Sequence, residues 1–173
     1  FYDYDYDSVG GAGVFCLMSS RPSGSDQNPQ IVSAPLRYLS GWTTPIGISK
    51  FQSKSFEVKS SAGGWDAQNT IYFYGNKNAV DSDGHTNEYY LIENRQKYGR
   101  DATISASGIA IWHMDELGNT DDQRYAYNTE HQNYEATLIQ ADGKWDFENN
   151  RNDGDAYDLY YDGNRAQGYI NAF

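Results

Sequence analysis

Glu88-Tyr89-Tyr90-Leu91-Ile92-Glu93 and, after an intervening loop, Gly108-Ile109-Ala110-Ile111-Trp112-His113-Met114 decide the fold. Both runs carry apolar residues at odd and even positions, the pattern of strands covered on both faces. They are read as the central strands of a sheet. Outward from them, Thr70 to Tyr74 is a β-branched and aromatic run ending at Gly75, and Lys54 to Lys59 alternates Lys, Phe and Val with Ser and Glu. Tyr134 to Ala141 continues the series with Ala136, Leu138 and Ile139. Each has the length and residue types of a strand. On the N-terminal side Ser33 can cap a helix, Pro35 falls in its first turn, Leu36 and Leu39 lie three apart, and Gly41 closes it. The expected fold class is therefore α+β, mainly β: an antiparallel β subdomain over 46–173, preceded over 1–45 by a turn and one short helix.

The 173 residues suffice for one domain or a domain plus a lobe. Surface scaling buries about 70% of the open chain's area, so a real core forms without a staple. Lys plus Arg is 13 against 24 Asp plus Glu, a net charge of -11. That balance makes nucleic acid a poor partner and none is expected, because binding there needs cations that displace counterions from phosphates. No run approaches the 18 apolar residues of a membrane span. The 16 Tyr, 7 Phe and 4 Trp in an acidic, strand-friendly chain lean towards an extracellular domain. Cys16 is the single cysteine, so no internal disulfide forms; it sits in Val14-Phe15-Cys16-Leu17-Met18 as a small buried hydrophobe.

His85, His113 and His131 are scattered without metal-ligand spacing, and His113, within the most apolar strand, reads as a buried core histidine. The acidic clusters suit a hard cation, which takes six to eight oxygens. Asp3, Asp5 and Asp7 open like an EF-hand loop, but Ser8 stands where the turn glycine belongs and Val14 where the bidentate acid belongs. A calcium site of another geometry remains for them, against a solvated edge. Asp81, Asp83, Asn87 and Glu88 form a second candidate. The third is Asn149 to Asp155 with Asp158, in which Asp153, Asp155 and Asp158 are the calcium ligands expected.

Three stretches together resemble the M6 family of secreted zinc metallopeptidases, the immune inhibitor A type. The first is Phe1-Tyr2-Asp3, then Phe15-Cys16-Leu17-Met18-Ser19-Ser20, then Ser33-Ala34-Pro35-Leu36-Arg37-Tyr38-Leu39-Ser40-Gly41-Trp42. The second is Glu88 to Gln96 followed by Gly108 to Glu116, similar to the family's "EYFLLENRQ" and "GLLIWHVDE". The third is Leu138 to Gly143 with Gly154 to Leu159, similar to "LVQADG" and "GDAGD". The resemblance implies that Met18 is the methionine of a Met-turn, forming an apolar floor beneath a catalytic zinc, so that 1–45 is Met-turn and helix of a peptidase lobe. It also implies a protein or peptide substrate, attacked in the parent by zinc-bound hydroxide. The family's HExxH helix, source of two zinc ligands and the general base, is expected just before Phe1. The chain is accordingly expected to hold no catalytic residue of its own and to be an inactive C-terminal piece, secreted and stabilised by calcium. Apolar surface around Val14 to Leu17 would then be exposed and favour a dimer. The rival is a non-catalytic calcium-binding module for glycans or proteins, with Trp65 and Trp145 as stacking platforms.

Overall fold

The computed structural model describes residues 12–19, 28–48, 55–63, 71–75, 87–118, 134–149 and 151–165. It is mainly β: a helix α1 (Ala34–Leu39) precedes five strands, β1 (Ile46–Ile48), β2 (Ile71–Gly75), β3 (Glu88–Arg95), β4 (Gly108–Asp115) and β5 (Ala136–Leu138), with short 3-10 turns between. The strands form one sheet in chain order. β1 pairs parallel with β2 and the other three pairings are antiparallel, so the sheet is mixed rather than wholly antiparallel.

β3 and β4 are central and eight residues long, as expected, but they differ from the expected covering of both faces. Burial alternates: Tyr89, Leu91, Glu93 and Arg95 point inwards from β3, and Gly108, Ala110, Trp112 and Met114 from β4. The apolar residues of the other parity make a half-buried outer face. Tyr74, Tyr90 and His113 form a row of rings there, with centroids 6.2 Å and 5.2 Å apart. His113 is thus no core histidine; it lies 3.8 Å from Glu88 Oε1 on that outer face.

The segment 55–59 forms no strand, contrary to the expectation for Lys54 to Lys59. Side chains take its carbonyls instead: Tyr72 Oη donates to Glu57 O at 2.9 Å and Asn94 Nδ2 to Val58 O at 2.9 Å. β1 was not foreseen, and β5 occupies only the middle of Tyr134 to Ala141. The helix matches its signals. Its C-terminus closes as a Schellman motif, Trp42 N–H on Arg37 O and Gly41 N–H on Tyr38 O, both at 2.9 Å, with Gly41 at φ 69°. Its N-terminus departs from expectation, since Ser33 makes no side-chain cap and Glu93 Oε1 accepts the Ala34 N–H at 3.2 Å.

One core joins both sides of the expected boundary at 45/46: Phe15, Cys16, Ala34 and Leu36 pack with Leu91, Trp112, Met114, Leu138, Phe147 and Leu159. Phe15 and Cys16 are fully buried and Val14 and Leu17 half-buried, so the stretch expected to expose apolar surface is largely covered by the chain itself. The exposed large apolar side chains among the described residues are Trp42, Phe56, Tyr98, Trp145 and Tyr157. No helix among the described residues is long and apolar enough to cross a membrane.

Within the core sits a buried ionic network. Arg95 makes a bidentate pair with Asp101, Nε to Oδ2 at 2.7 Å and Nη2 to Oδ1 at 2.9 Å. Its Nη1 donates to Phe15 O, and Glu93 pairs with Arg37 and accepts from Trp112 Nε1 at 2.9 Å. Asp101 Oδ1 also accepts the Ile31 N–H at 3.1 Å. Two cations and two anions, all fully buried, tie α1 and the segments around Phe15 and Ile31 to the centre of the sheet.

Candidate metal centre

The loop after β5 gathers acids because its two ends are bonded together. Ala141 N–H donates to Asp158 O at 2.9 Å, which sets the neighbouring Asp142 and Asp158 side by side. Asp155 is brought in by tight turns: Gly154 N–H bonds Asn152 Oδ1 at 2.8 Å, Tyr157 N–H bonds Asp155 Oδ1 at 2.7 Å, and Asp155 N–H bonds Asp158 Oδ2 at 2.6 Å. Asx and turn chemistry of this kind comes naturally to an Asn/Asp/Gly-rich stretch. The result places one carboxylate oxygen from each of Asp142, Asp155 and Asp158 within 4.8 Å of the others. Two oxygens on one calcium, each 2.3–2.6 Å from it, stand at most about 5 Å apart, so the spacing is of the order a single shared ion requires.

Asp142 and Asp158 are buried and Asp155 half-buried, which leaves the cluster an open side. Asp158 Oδ1 is buried with no hydrogen-bond partner, an arrangement that costs free energy unless something positive sits against it. Burial pushes the Asp158 carboxyl up to about 7; the charges of Asp155, Asp142 and Asp146 add to this, against the pull of the Asp155 amide. Two basic side chains border the site. Lys144 Nζ is 2.8 Å from Asp142 Oδ2, and Arg151 Nη1 is 3.4 Å from Asp146 Oδ1. Trp145, between Lys144 and Asp146, is exposed and holds the left-handed conformation at φ 55°, uncommon for so bulky a residue.

Of the expected calcium ligands, Asp155 and Asp158 come together and Asp153 does not. The Asp153 side chain is exposed, and its backbone carbonyl accepts the Val14 N–H at 2.7 Å. Asp142 is the partner that sequence reasoning did not choose, although it stands in the Ala141-Asp142-Gly143 stretch already singled out. Asp3, Asp5, Asp7, Asp81, Asp83, His85, His131 and Trp65 lie outside the described residues. Met18 is half-buried on a turn closed by Ser19 N–H on Cys16 O at 3.1 Å, and it packs against the edge of the core. Zinc does not fit the described residues: His113 is the single histidine among them, and Cys16 is enclosed, with burial pushing its thiol up.

Asp158 gives the metal-free protein a pH dependence of defined sign. Its ordinary value lies near 4, so the fold favours the protonated form. The stabilising contribution is full below about pH 4, falls through the window up to about 7, and is gone above it. In chelator, wild type is expected to lose on the order of 2–3 kcal/mol between pH 5 and pH 8 relative to Asp158→Asn. Urea unfolding of both proteins at the two pH values checks this; equal losses would rule it out.

Compared with protein-family models, curated proteins and solved structures, the chain matches none.

Proposed function

We propose that this chain is a calcium-stabilised, β-rich portion of a secreted metallopeptidase of the M6 type. The observation that carries the calcium reading is the convergence of Asp142, Asp155 and Asp158, one of which, Asp158, holds a buried carboxylate oxygen without a hydrogen-bond partner. Three carboxylates are a hard-oxygen set suited to calcium, and the remaining positions of its shell would fall to backbone carbonyls and water. Sites of extracellular modules work at about 0.1–1 mM calcium, the range in which a secreted protein would meet the ion.

The peptidase part rests on the sequence resemblance and is supported by the Cys16–Ser19 turn, which sets Met18 at the rim of the core rather than deep within it. The sequence holds no His-Glu-X-X-His, so the zinc ligands and the general base would come from outside these residues. On this reading the chain shapes and steadies a peptidase lobe and does not itself cleave.

Calcium titration tests it. At 5 mM calcium chloride the wild-type protein is expected to gain about 2 kcal/mol, a rise of about 5 °C in Tm, and Asp158→Asn to gain nothing. Scanning calorimetry reads both, and a flat wild-type response would end the calcium reading. The same preparation, incubated with denatured casein and zinc, is expected to release no peptide. Chelator-sensitive cleavage would overturn the non-catalytic role.

A further inference from the structure

The acidic triad already has a cation of its own. Lys144 Nζ stands 2.8 Å from Asp142 Oδ2, while the Lys144 N–H bonds the other oxygen, Asp142 Oδ1, at 3.0 Å. The residue that contributes Asp142 to the triad is therefore held from two sides by a single neighbour. Asp142 is fully buried at its side chain, whereas the Lys144 side chain is 39% exposed. The carboxylate is enclosed, and the lysine side chain borders water. Its ammonium also lies 5.5 Å from the centre of the exposed Tyr157 ring.

A divalent ion against Asp142 would sit within a few ångströms of that ammonium, and like charges so close repel strongly at a partly buried site. With Lys144 held on Asp142 Oδ2, an ion on the same carboxylate binds against that repulsion. Arg151 offers a built-in comparison, since it carries the same charge on the same loop but contacts Asp146, which lies outside the triad.

We propose that Lys144 is a tethered counterion that competes with a divalent cation for Asp142, so that the site alternates between a lysine-closed and a cation-bound state. This rests on the reading of the triad as a calcium site. In the closed state the ammonium offsets carboxylate repulsion without metal and caps the Tyr157 ring. In the cation-bound state the lysine turns outwards and uncovers that ring. The lysine thereby weakens calcium binding and sets the concentration at which the loop fills.

The test is calorimetric titration of the 173-residue chain with calcium chloride, for wild type, Lys144→Met, Arg151→Met and Asp158→Asn. Lys144→Met is expected to bind calcium about fivefold more tightly than wild type, the equivalent of losing one ion pair of this exposure, and Arg151→Met to stay within about twofold. Lys144→Gln serves as a second neutral variant should the methionine protein fail to fold. Unchanged affinity in the lysine variants, or an equal gain in Arg151→Met, overturns competition, because general charge then accounts for the result. If wild type binds, Asp158→Asn does not, and the lysine variants match wild type, the calcium site stands and this inference alone falls. If neither wild type nor the lysine variants bind, or Asp158→Asn binds as wild type does, both fall together.

Discussion

Glu93→Gln is expected to destabilise the protein by about 3–5 kcal/mol, the cost of removing one partner from a buried ion pair and leaving the other unpaired. Glu93 is fully buried and serves Arg37, Arg95, the Ala34 N–H and the Trp112 indole at once. Glutamine would keep the volume but leave two buried guanidinium groups with Asp101 as their one carboxylate. Burial by itself would raise the Glu93 carboxyl, yet Arg95 and Arg37 beside it, with the two hydrogen bonds, hold it below the ordinary carboxylate range. Its stabilisation is therefore present above that range and lost as pH falls through the lowered value, so the variant should lose part of the wild-type acid transition. Urea denaturation at pH 7 and pH 4 measures both effects. A loss under 1 kcal/mol at pH 7 would show that the network is not what holds α1 to the sheet. Should the variant not fold, Trp112→Phe removes one of the four interactions and is expected to cost about 1–2 kcal/mol.

The second large effect is steric. At Gly13, φ is 54°, and a Cβ would stand 2.1 Å from the Asp153 carbonyl oxygen, deep inside contact distance. That carbonyl accepts the Val14 N–H, so Gly13→Ala must push apart two segments at the point where they are bonded. The left-handed conformation costs an L-residue about 1–2 kcal/mol, and forced repacking about 1–3 kcal/mol more, for a total of about 3 kcal/mol or above. Gly41→Ala supplies the comparison, because Gly41 has φ 69° with nothing within 4 Å of the added carbon and should show the conformational part alone. Urea midpoints of the two variants separate the contributions. If Gly13→Ala proves no worse than Gly41→Ala, the close approach to Asp153 is not a constraint.

The parts of the fold that were legible in the sequence are those set by neighbours along the chain. Pro35 and Gly41 bracket α1, and the β-branched and aromatic runs of β2, β3 and β4 announce themselves within windows of eight residues or fewer. The buried network was not legible, because Arg37 reaches Glu93 only through the tertiary fold and Asp101 meets Arg95 only where the turn after β3 folds back. A trace existed nonetheless: Glu93 and Arg95 share the parity of Tyr89 and Leu91, so a one-sided strand would have turned both charges inwards. The strand expected at Lys54 to Lys59 failed for a related reason, since the side chains that claim its carbonyls, Tyr72 and Asn94, belong to other strands. At the metal centre the turn-rich Asn149 to Asp158 stretch was visible, but the choice of Asp142 over Asp153 depends on the backbone bond between Ala141 and Asp158.

Chain-order pairing of the five strands has a kinetic side. Every strand lies next to its sequence neighbour, so the antiparallel ladders from β2 to β5 join strands adjacent in the chain, across connections of 12, 12 and 20 residues. The segment around Phe15 is different: its carbonyl waits for Arg95, 80 residues on, and the Val14 amide waits for Asp153. During synthesis this early stretch leaves the ribosome long before its partners exist, with Phe15 and Cys16 still uncovered. Its contacts are complete only once the acidic loop has been made, and until then its apolar side chains are open to a chaperone.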